Sequence, residues 1–424
     1  METQLQVNID RIRTHIEAIA RFTATPGEGS TRTSYSPQFK EAYDYMRDKG
    51  QALGLSVRID AVGNLRMRLP GFDETASAVV IGSHLDTVVN GGDFDGVLGV
   101  VCGLEVLSVL VESGFTPARP IELISFVEEE GISFRCPLLG SKAATGQLTA
   151  EELAALRTDD GKSFIDAART FGLDPVWIAR DRIKPTDVQA MLELHIEQGA
   201  VLETEQLAVG VVDRIAGSEN YRVTLTGRAN HAGTTPMGLR RDALCAAAEM
   251  ISGVEAAAQA AQSPHTVATV GRIECAPNAA NVIPGQVEFS IDIRDAHETN
   301  IVAAATAIRE RIQAIAARRG VGCGIELTAK SAPQALAGNI ADRIAAIARA
   351  LDIPHRRMHS GALHDTAMMG RIADAGMIFV PSRSGISHSP DEWTDYDDIK
   401  KGANVLLGVV AELAHDTPIE ESRP

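Results

Sequence analysis

Three apolar, strand-like runs in this chain end in side chains that bind cations. Ala78-Val79-Val80-Ile81 leads through Gly82-Ser83 into His84-Leu85-Asp86, Ile121 to Val127 empties into Glu128-Glu129-Glu130-Gly131, and Met191-Leu192-Glu193-Leu194 runs into His195-Ile196-Glu197-Gln198. Imidazole and carboxylate together suit a borderline divalent ion, and one carboxylate can bridge two ions ~3.5–4 Å apart. In His84-x-Asp86 the ring is expected to bind through one nitrogen while the carboxylate two residues on holds the other, fixing tautomer and basicity. Asp95 follows in a turn whose glycines 91, 92, 96 and 99 let the backbone bend sharply. No Gly-Lys-Ser/Thr follows that turn and its local charge is negative, which argues against a phosphate cradle. With His388 in a later loop, His84, Asp95, Glu130 and His195 make a complete candidate ligand set. Taken singly, each has a plain reading as a capping histidine or a solvated acidic turn. Jointly they do not, because carboxylates placed directly after a buried strand are expensive to desolvate unless cations accompany them.

The elements that must position these side chains read as a doubly wound α/β domain. Helical spacing of Ile9, Ile12, Ile16 and Ile19, a Pro/Gly/Ser/Thr stretch over 23–37, and a second helix over 38–53 precede alternation over 57–69 around Gly63. A strand over 78–82, a helix over 97–112 and a strand over 120–127 predict a parallel pair, whose carboxyl ends are where open α/β sheets present their sites. Less regular helical signals over 139–181 lead to the strand that ends at His195. From residue 213 the pattern changes to strand 221–226, helix 242–261, strand 266–275, strand 287–294, helix 298–318 and strand 324–329. That β-α-β-β-α-β order predicts an inserted α+β, ferredoxin-like domain. The doubly wound pattern then resumes with a helix (340–351), a strand (375–380) and a closing helix (396–415). The expected division is therefore residues 1–212 and 331–424 for a mixed-sheet catalytic domain, with 213–330 as the insert.

The 424 residues carry a formal net charge of −16 and are 45% hydrophobic, enough for a sizeable core and unsuited to wrapping nucleic acid or an anionic membrane. No apolar run approaches the ~20 residues of a membrane span and the first residues form no leader pattern, so a cytoplasmic protein is expected. The scattered cysteines 102, 136, 245, 275 and 323 offer no Cys-x-x-Cys pair; they read as small core residues, with Cys136 beside the acidic cluster the one to check for reactivity.

Several of these strings together resemble one family. His84-x-Asp86, Asp95 in Gly-Gly-x-Phe-Asp-Gly, Glu129-Glu130-Gly, His195-Ile-Glu-Gln-Gly, Asn230-His231-Ala-Gly-Thr-Thr-Pro-Met and Gly385-Ile-Ser-His388-Ser-Pro are similar to the hydantoinase/carbamoylase amidases of the M20 metallopeptidase clan. The resemblance spans nearly the whole chain. It implies two divalent ions per chain (zinc, manganese, cobalt or nickel), one held by His84, Asp95 and His195, the other by Asp95, Glu130 and His388. It further implies Asp86 as the residue orienting His84, Glu129 as general base and His231 for the developing oxyanion. Gln198, Asn281 and Arg294 would contact a small carboxylate-bearing substrate, with Gly361 and Leu363 lining the pocket. The activity implied is cleavage of an N-carbamoyl or ureido acid, with release of ammonia and carbon dioxide, by a homodimer paired through the inserted lid domain. An acyl amino acid deacylase or peptidase of the same clan, and a metal-binding protein without catalysis, are the competing readings; retention of Glu129 argues against the last. Departures from the family's usual strings occur at Gly131-Ile132-Ser-Phe-Arg135, at Ser360-Gly-Ala-Leu363-His-Asp365 and at Gly217-Ser-Glu219-Asn-Tyr221. These bear on substrate choice more than on reaction class.

Overall fold

The computed structural model describes residues 5–415 and divides the chain into two compact units. The first unit takes the chain up to Asp213, then Ala335–Met358, and again from His364 onward; the second takes Arg214–Gln334 and His359–Leu363. The sequence-based division ran at 212/213 and 330/331 and did not separate His359–Leu363, so Gly361 and Leu363 fall in the second unit.

In the first unit the strands lie in the order Ser56–Ile59, Leu65–Leu69, Ile121–Phe126, Ala78–His84, Val188–Ile196, Asp374–Val380, Val209–Ile215. The four central strands are parallel, and antiparallel pairs flank them on either side. This is a mixed sheet. The alternation over 57–69 resolves into a hairpin because the Asp60 carboxylate accepts N–H bonds from Val62, Gly63 and Asn64 (3.1, 3.0 and 2.8 Å), closing a turn between two strands. All of Ala78–His84 and Ile121–Phe126 is buried, as expected for strands covered on both faces. The Val97–Glu112 helix is apolar nearly all round and buried from Val97 to Leu110, so it forms an inner layer and not a surface helix. Its first turn starts at Gly96, whose φ of 67° and position leave no room for a side chain: a Cβ there would lie 2.3 Å from the His84 ring. The expected region of irregular helices contains Leu139–Ala144, Ala150–Ala155 and Phe164–Thr170.

The second unit holds an antiparallel sheet ordered Ile273–Ala276, Gln286–Asp295, Gly217–Thr226, Gly322–Ser331, with Val267–Thr269 also paired to Gln286–Asp295. Its helices, Ala243–Gln259 and Glu298–Arg319, bury Ala246, Met250, Val254, Ile301, Ile308 and Ile312 in a core separate from that of the first unit. The single strand expected over 266–275 is two strands, interrupted where Gly271 stands between Val270 and Arg272. The cysteines also depart from the expectation of core residues: Cys102 is buried, Cys136, Cys275 and Cys323 are half-buried, and Cys245 is exposed. Burial raises the Cys136 thiol above its ordinary value, which makes it less reactive. Among the described residues no helix is long and apolar enough to cross a membrane.

Candidate metal centre

The parallel strands deliver their terminal side chains to one place. His84 is the last residue of its strand, His195 lies one residue before the end of the next, and Glu129 and Glu130 follow the Ile121–Phe126 strand in the turn after it. Asp95 stands just before the Val97–Glu112 helix, and His388 comes from a loop between Val380 and the closing helix Tyr396–His415. His84, Asp95, His195 and Glu129 are all buried; His388 is half exposed.

Asp95 is the hinge of the arrangement because its two oxygens face different partners. Oδ1 lies 3.2 Å from His195 Nε2 and 3.6 Å from His84 Nε2. Oδ2 lies 3.3 Å from His388 Nε2, which is itself 3.5 Å from Glu130 Oε1. Oδ2 also accepts from Gln198 Nε2 at 2.7 Å and from the Ser387 hydroxyl at 3.0 Å. The structure therefore brings His84, Asp95 and His195 within ligand distance of one another, and likewise Asp95, Glu130 and His388. Glu129 belongs to neither group; its Oε2 faces His84 Nε2 at 3.7 Å.

The ring nitrogens not aimed at Asp95 assign the tautomers. His84 Nδ1 is 3.0 Å from the main-chain oxygen of Asp86, and His195 Nδ1 is 2.9 Å from that of Ile196. A carbonyl oxygen only accepts, so both rings carry hydrogen at Nδ1, and each ring in its neutral form has its lone pair at Nε2, facing the site. The expectation that the Asp86 carboxylate orients His84 is thereby corrected: the carbonyl of Asp86 does so, while its carboxylate Oδ2 accepts the Glu130 N–H at 3.1 Å.

Electrostatically the cluster lacks a permanent cation. Burial, then the neighbouring Glu130, raises Glu129 well above the usual carboxylate range; burial and Asp95 do the same to Glu130. Burial opposes ionisation of Asp95 too, but His195 and His388 hold it well below its ordinary value. His195 in turn is raised to about 9, Asp95 outweighing the burial that would lower it. The ion pairs found for Asp95, Glu129 and Glu130 among the described residues are with histidine alone. Crowded carboxylates opposed only by imidazoles whose Nε2 atoms face inward are a donor set that fits divalent cations, which take the place of the ring protons.

A further group, Glu193, His195 and His364, also falls within ligand distance, but its carboxylate is committed. Glu193 accepts from Ser83 Oγ at 2.8 Å and from Thr366 Oγ1 at 2.7 Å, and the His364 ring packs edge-on against His195 at 4.6 Å. Sequence reasoning assigned no role to Glu193, His364 or Glu392. A charged residue inside an otherwise apolar strand was the available signal for Glu193. Glu392 had none: its Oε1 accepts the Phe94 and Asp95 N–H groups, both at 3.0 Å, from almost 300 positions away. Burial and then Asp95 push Glu392 up to about 7.

In the second unit, His231 is exposed and pairs with Val282 in a short antiparallel bridge, which puts Asn281 beside it through an Ala232 N–H bond to the Asn281 carbonyl at 3.0 Å. The His231 Nδ1 accepts N–H bonds from Gly233 and Thr234 at 3.0 and 3.2 Å. Arg294 lays its fork on Asp292 (2.9 and 3.0 Å) and donates from Nη1 to the Gly361 carbonyl at 3.1 Å. Glu219 is buried and taken up by the Tyr221 hydroxyl at 2.6 Å and Lys330 at 3.2 Å.

A profile of peptidase family M20/M25/M40 matches residues 80–412, a span that contains every member of this cluster. The chain belongs to that family. Within it, the chain is 41% identical over 411 residues to the N-carbamoyl-L-amino-acid amidohydrolase of Paenarthrobacter aurescens, covering 97% of this chain and 99% of that one. It is 35% identical over 397 residues to the allantoate amidohydrolase of Escherichia coli strain K12, covering 93% and 96%. Among solved structures, an amidase of the hydantoinase/carbamoylase family from Burkholderia multivorans superposes with a TM-score of 0.90 at 33% identity, over 98% of this chain and all of that one. The M20 resemblance carried by the sequence strings is thus shown at the level of the whole chain.

Proposed function

We propose that this M20 chain is a metal-dependent amidohydrolase that cleaves the carbon–nitrogen bond of an N-carbamoyl amino acid or related ureido acid. It is a hydrolase of carbon–nitrogen bonds; relatives matching almost end to end are named for carbamoyl amino acids and for allantoate. The observation that carries the reading is Glu129: a buried carboxylate 3.7 Å from His84, a member of neither ligand group, and held protonatable by burial and then by its acidic neighbours. Two divalent cations, one on His84, Asp95 and His195 and one on Asp95, Glu130 and His388, would polarise the ureido carbonyl and acidify the attacking water. Glu129 takes the proton of that water as its oxygen attacks the carbonyl carbon, then returns it to the departing nitrogen as the C–N bond breaks. The carbamic acid product loses carbon dioxide and leaves ammonia. Gln198 steadies Asp95 through Nε2 and has its Oε1 buried without a partner among the described residues, which suits it to a substrate N–H.

The second unit, on this reading, is a ferredoxin-like lid and dimerisation domain. His231 serves the oxyanion, Asn281 and Arg294 the substrate carboxylate, and Gly361 and Leu363 the pocket lining. The β-α-β-β-α-β order and the exposed edge strands of its sheet support that assignment. Ammonia release measured over carbamoyl amino acids, allantoate, ureidoglycolate and acyl amino acids, before and after chelation and metal re-addition, tests the proposal. Ureido acids alone should release ammonia, and only from metal-loaded protein; full turnover by metal-free protein would overturn it.

A further inference from the structure

The largest fully buried side chain among the described residues is a cation that no catalytic role uses. Arg32 has no solvent exposure, and its guanidinium meets main-chain carbonyls instead of a carboxylate. Nε donates to the Leu85 oxygen at 2.7 Å, and Nη1 donates to Ile19 and Phe22 oxygens, both at 3.1 Å. Nη2 is buried with no hydrogen-bond partner among the described residues. Burying a guanidinium without a carboxylate partner costs stability, which its carbonyl hydrogen bonds offset only in part. Burial pushes Arg32 down to about 10, with Asp93 and Asp86 opposing, so it keeps its charge at neutral pH.

What Arg32 holds is the segment just after His84. Its side chain fixes the carbonyl of Leu85, and its own main-chain oxygen accepts the Thr87 N–H at 3.2 Å. Its N–H donates to Thr87 Oγ1 at 2.9 Å, and that hydroxyl donates onward to the Ser30 carbonyl at 3.1 Å. The peptide groups on both sides of Asp86 are therefore pinned to one residue. From Asp86 two contacts reach the centre: its carbonyl takes the His84 Nδ1 hydrogen, and its carboxylate takes the Glu130 N–H.

We propose that Arg32 is a positioning residue for the metal centre, clamping the peptides that flank Asp86 so that the Asp86 carbonyl holds His84 in its ligand tautomer. The proposal deepens the metal-dependent reading without requiring it, since the tautomer exists in the metal-free chain. His195 supplies an internal control: its Nδ1 is held by the Ile196 carbonyl, which Arg32 does not touch.

Nitrogen-15 histidine-labelled protein, observed metal-free at pH 8, reports the tautomer and the solvent exchange of each ring N–H. In the Arg32→Met protein the His84 N–H should exchange at least tenfold faster or populate the other tautomer, while His195 keeps its wild-type signal. Zinc affinity, read by competition with a chelating dye, should fall about tenfold. Thr87→Val, which leaves the buried charge in place, should show the same change more weakly and decides the matter if Arg32→Met does not fold. A His84 signal unchanged in the folded variants overturns the proposal. If the tautomer shifts as stated but wild-type protein takes up no zinc, Arg32 keeps its role and the metal reading falls instead.

Discussion

His84 and His195 on one side, and His231 on the other, are the same residue type prepared for opposite tasks. The first two are buried at the ends of parallel strands, each with Nδ1 on a carbonyl oxygen, so each neutral ring offers a lone pair at Nε2. His231 is exposed in the second unit and its Nδ1 accepts two N–H groups, so its hydrogen is at Nε2 and the ring offers a donor. A lone pair suits a cation, whereas a donor suits developing negative charge on oxygen. The backbone around each ring, more than the ring's place in the chain, fixes which nitrogen it presents as donor and which as acceptor.

The sharpest way to break this division is within the acidic pair. Glu129→Gln should lower kcat by ~10²–10⁴ with metal content unchanged, because it removes a proton acceptor and leaves both ligand groups whole. Glu130→Gln should lose metal as well, and equal metal loss in both variants, read by elemental analysis, would reverse the assignment. Next in size is His231→Ala, expected to cost ~10²–10³ in kcat through loss of a single oxyanion donor, with metal content intact. If the donor acts across a two-fold dimer, co-refolding inactive Glu129→Gln and His231→Ala chains should recover roughly a quarter of wild-type activity, since half the molecules pair at random and each mixed dimer has one whole site. Recovery near zero, with dimers confirmed by mass, would confine His231 to its own chain.

A smaller effect is expected at Arg294. Replacing it by Lys should weaken binding about tenfold for an acid and hardly at all for the matching amide, because a point charge does not replace a fork. Equal losses would leave Arg294 as a partner of Asp292 only.

Smallest is a pH effect on the metal-free protein. Glu128 is raised to about 7 by burial and then Asp86, and Glu392 to about 7 by burial and Asp95. A carboxyl raised on folding binds its proton more tightly in the folded chain, so stability falls as pH rises from the ordinary ~4.3 toward 7. His195, raised to about 9, contributes stability that is present below ~6.5 and is lost as pH climbs through 9, in the same direction. Melting temperature of the metal-free protein should therefore drop between pH 5 and 9 more steeply than that of the zinc-loaded protein. Parallel curves would show that these groups do not face the cations.

That His84, Glu130 and His195 would come together was legible in the sequence because strand termini are marked by a change from apolar to polar residues, and each stands at or shortly after such a change. The parallel core and the insert's element order were legible for the same reason of periodicity. Arg32 and Glu392 were not, since nothing local marks an arginine that bonds carbonyls of Ile19 and Leu85, or a glutamate that caps the N–H groups of Phe94 and Asp95. Asp86 was misread for a related cause: spacing predicts proximity to His84, but which of its oxygens turns toward the ring depends on a backbone held by Arg32.

The interrupted path of the first unit also dictates an order of events as the chain leaves the ribosome. Ser387 and Asp95, joined at 3.0 Å, are 292 positions apart, while nearly all of the second unit is one continuous stretch, Arg214–Gln334. At a synthesis rate of about 5–20 residues per second, that stretch can fold while the segment carrying His388 is still untranslated. During those seconds Asp95 and Glu130 await their third partner, and pairing over so long a loop is slow in itself. The second candidate ligand group, Asp95 with Glu130 and His388, is therefore assembled later in synthesis than the second unit can fold.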